Sequence, residues 1–213
     1  MQNTYTAGIA DLSHHNEQVD FSVAKAAGLK AVIHKATQST NFIDPMYQTR
    51  YDEASKLGLL FGAYHFGTAG APEAQMVFFL KNMMQQGPVL PVLDFEPNPD
   101  KAEGTMSIAE AEVFVETFQQ KTGRYPGLYG GYWLIDKLRD YTGTLLQQCW
   151  LWQAYYREPL EIPAVFQTWH LWQYIDGTTG PTPHAMAGIG SCDLDRFNGD
   201  EAALKHFWRE HAW

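Results

Sequence analysis

Along the chain, an apolar or alternating run followed by a stretch of helical periodicity recurs five times. Ala7 to Leu12 precedes Phe21 to Ala27, Ala31 to His34 precedes Tyr47 to Leu57, and Leu59 to His65 precedes Pro72 to Gln86. Gly58 follows the second helical stretch, where a left-handed C-terminal residue closes a helix. The fourth strand, Val89 to Phe95, leads through a polar loop from Pro97 to Thr105 into a helix over Ser107 to Lys121. Ser107 and Glu110 have the spacing of a capping box. The fifth strand, Gly127 to Gly131, is followed by a short helix near Trp133 to Asp140. The pattern then changes to strands without clear crossover helices, at Gln148 to Ala154, Trp169 to Ile175 and Gly190 to Leu194. A last helix covers Glu201 to Glu210.

Eight strands, five of them followed by helices, predict an α/β chain folded as a closed, parallel-type barrel with a β-rich end, a variant of the TIM architecture. Sites in such barrels lie at the C-terminal ends of the strands. The polar and aromatic residues expected there are Asp11, His34 and Lys35, Tyr64 and His65, Asp94 and Glu96, Tyr129, Trp152 and Gln153, Trp172 to Tyr174, and Asp193 with Asp195. At 213 residues and 45% apolar composition the chain fills one core, so residues 1–213 are expected to form a single domain.

Charge narrows the ligand class. The net charge of −9 comes without a basic cluster, which argues against nucleic acid and anionic lipid as partners, and no apolar run is long enough to span a membrane. Met1 to Ala7 lacks the charged and apolar regions of a classical secretion signal. A substrate outside the cytoplasm therefore implies release by lysis, a holin-type pore or a dedicated secretion machine. Cys149 and Cys192 are too few for a disulfide scaffold and are expected in strands as small hydrophobes. Aromatic residues, 14% of the chain and many near strand ends, suit sugar stacking as well as core filling.

In Val92-Leu-Asp-Phe-Glu96 the two acids are two apart on an extended segment, so they share a face, about 7 Å apart along the strand. Two carboxylates in one partly buried pocket raise the pKa of one member, which then donates a proton to a leaving oxygen. Glu96, at the rim and with the longer reach, is the expected general acid. Asp11 ends the first strand and Asp193 the last; neighbours in a closed barrel, they are expected to line the same pocket. Asp11 also fits an Asx-turn or helix N-cap, and Asp195 a local pair with Arg196. His14, His15, His34 and His65 have no metal-site spacing, and neither a GxSxG elbow nor a glycine-rich phosphate loop is present. No metal and no cofactor are expected.

Asp11-Leu-Ser-His-His-Asn16, His34-Lys-Ala-Thr-Gln38, Gly62-Ala-Tyr-His-Phe66, Leu93-Asp-Phe-Glu96, Leu171-Trp-Gln-Tyr174 and Cys192-Asp-Leu-Asp-Arg-Phe197, in this order, give the chain a resemblance over almost its full length to the lysozymes of glycoside hydrolase family 25. The resemblance implies a single catalytic (β/α)5(β)3 barrel over residues 1–213, and no separate wall-binding domain is expected. It also implies cleavage of the β-1,4 bond between N-acetylmuramic acid and N-acetylglucosamine in peptidoglycan. The family's four pocket acids map onto Asp11, Asp94, Glu96 and Asp193, with Glu96 as proton donor and Asp94 orienting the substrate's acetamido group as internal nucleophile. Ser39 departs from a frequent Gly, and Asp195 from a frequent Asn, which leaves Asp193 and Asp195 both open as the fourth acid. Tyr64, Tyr129, Trp152 and Trp172 are read as a stacking trough, Gln153 and Gln173 as hydrogen-bonding residues, and Lys35, Phe66 and Tyr174 complete the substrate-binding set. The expected partner is the glycan strand, bound by a monomer. An immunity protein or delivery machinery joins it if the same chemistry serves an interbacterial toxin. A retired glycan-binding barrel is the rival reading.

Overall fold

A computed structural model of the protein describes residues 5–83 and 88–213. The chain order is β1 (Thr6–Leu12), α1 (Phe21–Ala26), β2 (Ala31–Gln38), β3 (Phe42–Ile43), α2 (Tyr47–Lys56), β4 (Leu60–Phe66), α3 (Pro72–Met83), β5 (Leu90–Asp94), α4 (Ile108–Thr122), β6 (Gly127–Gly130) and α5 (Tyr132–Lys137). After these come β7 (Trp150–Ala154), β8 (Leu171–Asp176), β9 (Ala185–Met186), β10 (Gly190–Ser191), β11 (Asp193–Phe197) and α6 (Glu201–His211). The sheet runs β1-β11-β8-β7-β6-β5-β4-β2 and closes through a parallel β1–β2 pair, with β3 as a short antiparallel appendage on β2. Five helices follow the first five barrel strands and none separates the last three, so the fold is the (β/α)5(β)3 barrel. No described helix is long and apolar enough to cross a membrane.

Local chemistry sets the helix ends. Ser107 Oγ accepts from Glu110 N while the Glu110 carboxylate accepts from Ser107 N, the capping box read from the sequence, and Gly123 closes α4 at φ 74°. Residues 84–86 of the third expected helix lie outside the described residues.

Two expectations about the last stretch are corrected. The run from Gly190 to Leu194 is not one strand: Gly188 and Gly190 turn at φ 84° and 85°, so Gly190–Ser191 pairs back on Ala185–Met186. The barrel strand then begins at Asp193, antiparallel to both β1 and β8. The barrel is therefore mixed, and its eighth strand contributes its N-terminal end to the rim where the others contribute their C-terminal ends. Cys149 and Cys192 are buried and free, but each flanks a strand instead of lying in one. Near the other edge, β2 extends past His34 to Gln38 and then turns at Ser39, whose φ is 52°. A non-glycine residue in that conformation costs about 1–2 kcal/mol, which explains why glycine suits the position.

Strand alternation divides the core in two. Ile9, Ala31, Ile33, Leu90, Val92, Trp150, Trp152, Leu171 and Phe197 fill the barrel, while the opposite faces pack under the helices. Gly127 leaves room for the Trp150 ring, which a Cβ there would meet at 2.3 Å. Helix α6 closes the end of the barrel away from the rim. Phe207 packs on Trp150 and Phe197, Trp208 Nε1 donates to Phe61 O at 2.9 Å, and Trp213 exchanges backbone hydrogen bonds with Val89. With that end sealed, the rim is left as the open face.

Candidate active site

Five carboxyl groups converge at the rim. Asp11 comes from the end of β1, Asp94 from the end of β5, Glu96 from just beyond it, and Asp193 from the start of β11, with Asp195 one layer deeper on the same strand. Asp11, Asp94, Glu96 and Asp193 line one pocket together with Tyr64, Tyr129 and Trp152. Phe95, between Asp94 and Glu96, points the other way and packs edge-on against Trp133, and the two acids share one pocket. Wider hollows between α1 and α2 and beside α6 lack such a convergence of buried acids.

Burial and mutual repulsion set the protonation of this cluster. Glu96 is pushed up to about 7, first by burial and then by Asp193, with Lys35 opposing. Burial, then Glu96, raises Asp94 well above the usual carboxylate range, again against Lys35. Asp11 is raised by burial and by Asp193 and Asp195, while a hydrogen bond from Gln173 opposes the rise. Asp193, facing Asp11 across the antiparallel pair, reaches about 6: burial raises it, and the proton that Asp11 shares with it pulls it back. The cluster thus holds protons at neutral pH that isolated carboxylates would release.

Two oxygens in this cluster are distinctive. Among the described residues, neither Asp94 Oδ1 nor Asp195 Oδ2, both buried, has a hydrogen-bond partner. Asp195, fully buried, takes the Trp152 indole N–H on its other oxygen at 2.6 Å. It supports Trp152 from beneath and does not pair with Arg196, which instead bridges to Glu158 at 3.0 Å. Of the two acids left open by the sequence, Asp193 is the one on the pocket wall.

The remaining expected residues divide by strand face. Gln173 points inward: its Nε2 donates to Asp11 Oδ2 at 2.8 Å, and its Oε1 accepts from Tyr129 at 3.0 Å and Tyr156 at 2.8 Å. Lys35 stands at one edge, with Phe66 beneath its ammonium. Trp172, Tyr174 and Gln153 do not line this pocket. Trp172 and Tyr174 alternate with Gln173 and face outward, where the Arg196 guanidinium stacks on both rings. Gln153 is fully buried and donates to the backbone carbonyls of Gly130, Gly131 and Ala154, fixing the β6–α5 turn. Tyr156 was not among the strand-end residues, because it stands two positions beyond the end of β7; the tyrosine pair Tyr155-Tyr156 at that exit was the available signal.

His34 and His65 are structural. His34 Nδ1 donates to Lys35 O and Nε2 accepts from Arg50, and burial lowers its pKa to about 4. His65, also near 4 through burial, donates from Nε2 to Gln75 Oε1 and accepts the Thr37 hydroxyl on Nδ1. Among the described residues, no group of three or more His, Cys, Asp or Glu side chains is placed to hold a metal ion.

Comparison with known proteins places the chain among relatives of one family. Residues 10–181 match the family model described as glycosyl hydrolases family 25. Lysozyme M1 of Streptomyces globisporus is 29% identical over 215 residues, covering 93% of this chain and 71% of the relative. Among solved structures, the bacterial lysozyme from Streptomyces coelicolor superposes with a TM-score of 0.79 at 28% identity, covering 97% of this chain and 100% of the other. The muramidase from Trichobolus zukalii gives 0.76 at 30% identity, covering 94% and 98%.

Proposed function

The chain belongs to glycosyl hydrolases family 25, and on that premise we propose that Glu96 protonates the glycosidic oxygen while Asp94 orients and stabilises the substrate's own acetamido group. The protein is a glycoside hydrolase, a muramidase acting on peptidoglycan. The bond cleaved on this reading is the β-1,4 link between N-acetylmuramic acid and N-acetylglucosamine.

The observation that carries the assignment of roles is the unpartnered, buried Asp94 Oδ1 beside a Glu96 that titrates near 7. An acetamido N–H donating to Asp94 Oδ1 favours the ionised form of that carboxyl. The proton that the pair retains then resides on Glu96, which the leaving oxygen can reach from the mouth of the pocket. Attack by the acetamido carbonyl oxygen on the anomeric carbon forms a cyclic intermediate as the glycosidic bond breaks, and Asp94 offsets the charge developing on the nitrogen. Water, deprotonated by the same Glu96, opens the ring with net retention. Gln173, held by Tyr129 and Tyr156, orients Asp11 beside Asp193 on the opposite wall.

Within this reading the protein works as a monomer on glycan strands in the wall or periplasm. It reaches them by lysis, a holin-type pore or specialised secretion, and an immunity protein accompanies it where it serves as a toxin. Purified protein is expected to release new reducing ends from isolated peptidoglycan; binding without release would instead identify a retired glycan-binding barrel.

A further inference from the structure

Lys35, whose charge acts on Asp94 and Glu96, is itself held in place by other side chains. Lys35 Nζ donates to Gln38 Oε1 at 2.6 Å and lies over the rings of Phe66 and Phe42, at 4.9 and 5.5 Å from their centroids. The other end of the same amide, Gln38 Nε2, donates to Glu103 Oε2 at 2.7 Å, across 65 residues of sequence. Glu103 sits in the loop between β5 and α4, and that loop is internally braced. Asn98 donates from its side chain to Glu103 and to Gly104 O, Asn98 N donates to Thr105 Oγ1, and Thr105 bridges to Thr68 beyond β4.

The chemistry of the three groups permits only one order. An ammonium only donates, a carboxylate only accepts, and an amide has one end of each kind. Glu103 therefore admits the Nε2 end of Gln38 and leaves Oε1 for Lys35; the flipped amide would set NH2 against ammonium and carbonyl against carboxylate.

We propose that Glu103 is a positioning residue for the reaction: by fixing the Gln38 amide it holds the Lys35 ammonium where its charge acts on Asp94 and Glu96. The inference rests on the roles given to that pair above. Burial weakens the hold of Lys35 on its proton, and Asp94, Asp44, Glu103 and Glu96 restore it; Lys35 in return opposes the rise of Asp94 and Glu96. The other titratable groups around them are Asp193, which acts on Glu96 from β11, Asp11 on β1, the tyrosines Tyr64, Tyr129 and Tyr156, whose hydroxyls burial keeps neutral, the neutral His65 near Lys35, and His14, which is paired with Asp44.

Without Glu103 the amide is free to rotate, Lys35 relaxes toward solvent, and both acids titrate higher. Loss of the Glu103 charge alone acts in the opposite direction, so the sign of the shift separates positioning from a simple field effect. The test is the Glu96 carboxyl 13C resonance followed through a pH titration, together with the pH profile of reducing-end release. Glu103→Ala is expected to move the Glu96 midpoint and the alkaline limb up by about 0.5 pH units or more, a fraction of the 1–3 units an adjacent opposite charge commands. Glu103→Gln keeps an acceptor for Gln38 and stays near the wild-type midpoint. Gln38→Met breaks the same link from the other side and moves up as Glu103→Ala does, which covers the case in which the loop variant fails to fold. Midpoints that superpose or fall in Glu103→Ala or Gln38→Met, or an equal rise in Glu103→Gln, overturn the inference. The resonance reports on Lys35 whether or not Glu96 is the acid, so failure here is distinguishable from failure of the catalytic assignment, which the turnover of Glu96→Gln decides.

Discussion

Glu96→Gln is expected to lower turnover on peptidoglycan by about 10³–10⁴-fold, the upper part of the range for loss of a general acid, with the fold intact. The leaving group is a sugar alkoxide, which departs poorly unless protonated as the bond breaks. Glutamine keeps the size and shape of the side chain but has no acidic proton to give. The lost interaction belongs to the transition state, so kcat falls while KM changes little. With Glu96 as the acid, the wild-type rate is expected to decline as pH rises through about 7, where Glu96 loses its proton, and the residual rate of the variant to lack that limb. Burial and Asp193 disfavour the charge on Glu96, so its removal leaves the melting temperature equal or higher. Reducing-end kinetics across pH, paired with thermal unfolding, check both halves, and retained turnover would remove Glu96 from its role.

Asp94→Asn is expected to separate activity from stability. Asp94 is almost fully buried, one of its oxygens has no partner among the described residues, and burial and Glu96 both press against its ionisation. An unsatisfied buried polar atom costs about 1–3 kcal/mol, and more if charged. Because its folded pKa is raised, the native state retains a proton that the unfolded chain releases. The wild type therefore loses stability as pH climbs from the ordinary carboxylate range through the raised native value. Asparagine has no such titration, so the variant's excess in melting temperature is small near pH 4 and widens toward pH 8. Activity moves the other way: an amide cannot offset the positive charge that develops on the cyclised acetamido group. A loss in kcat of about 10²–10³-fold follows, on the scale of removing one preorganised electrostatic partner. A variant equally stable at both pH values, or one that remains active, contradicts the role given to Asp94.

The parts of this site that follow local rules were legible in the sequence. Asp94 and Glu96 alternate with an apolar Phe95 on one strand, and period-two geometry suffices to put them on one face. The capping box at Ser107 and Glu110 is equally local. What escaped depends on strand direction and on non-local partners. Hydrophobic alternation is the same in both directions along a strand, so nothing in Asp193 to Phe197 reveals that β11 runs antiparallel; the glycine turns before it decide that. Selecting every polar or aromatic residue near a strand end also ignores parity, which is why Trp172 and Tyr174 were grouped with Gln173 although they face the other side of β8. The link from Glu103 to Gln38 joins residues 65 apart, and only the closed barrel brings them together.

The most direct test of the central claim is proton NMR of the first-formed reducing end while the protein digests peptidoglycan glycan strands. Protonation by Glu96 with assistance from the acetamido group under Asp94 predicts that N-acetylmuramic acid appears first as the β-anomer and only later mutarotates. An initial α-anomer would contradict the acetamido route and indicate direct attack by water activated from the Asp11 and Asp193 wall.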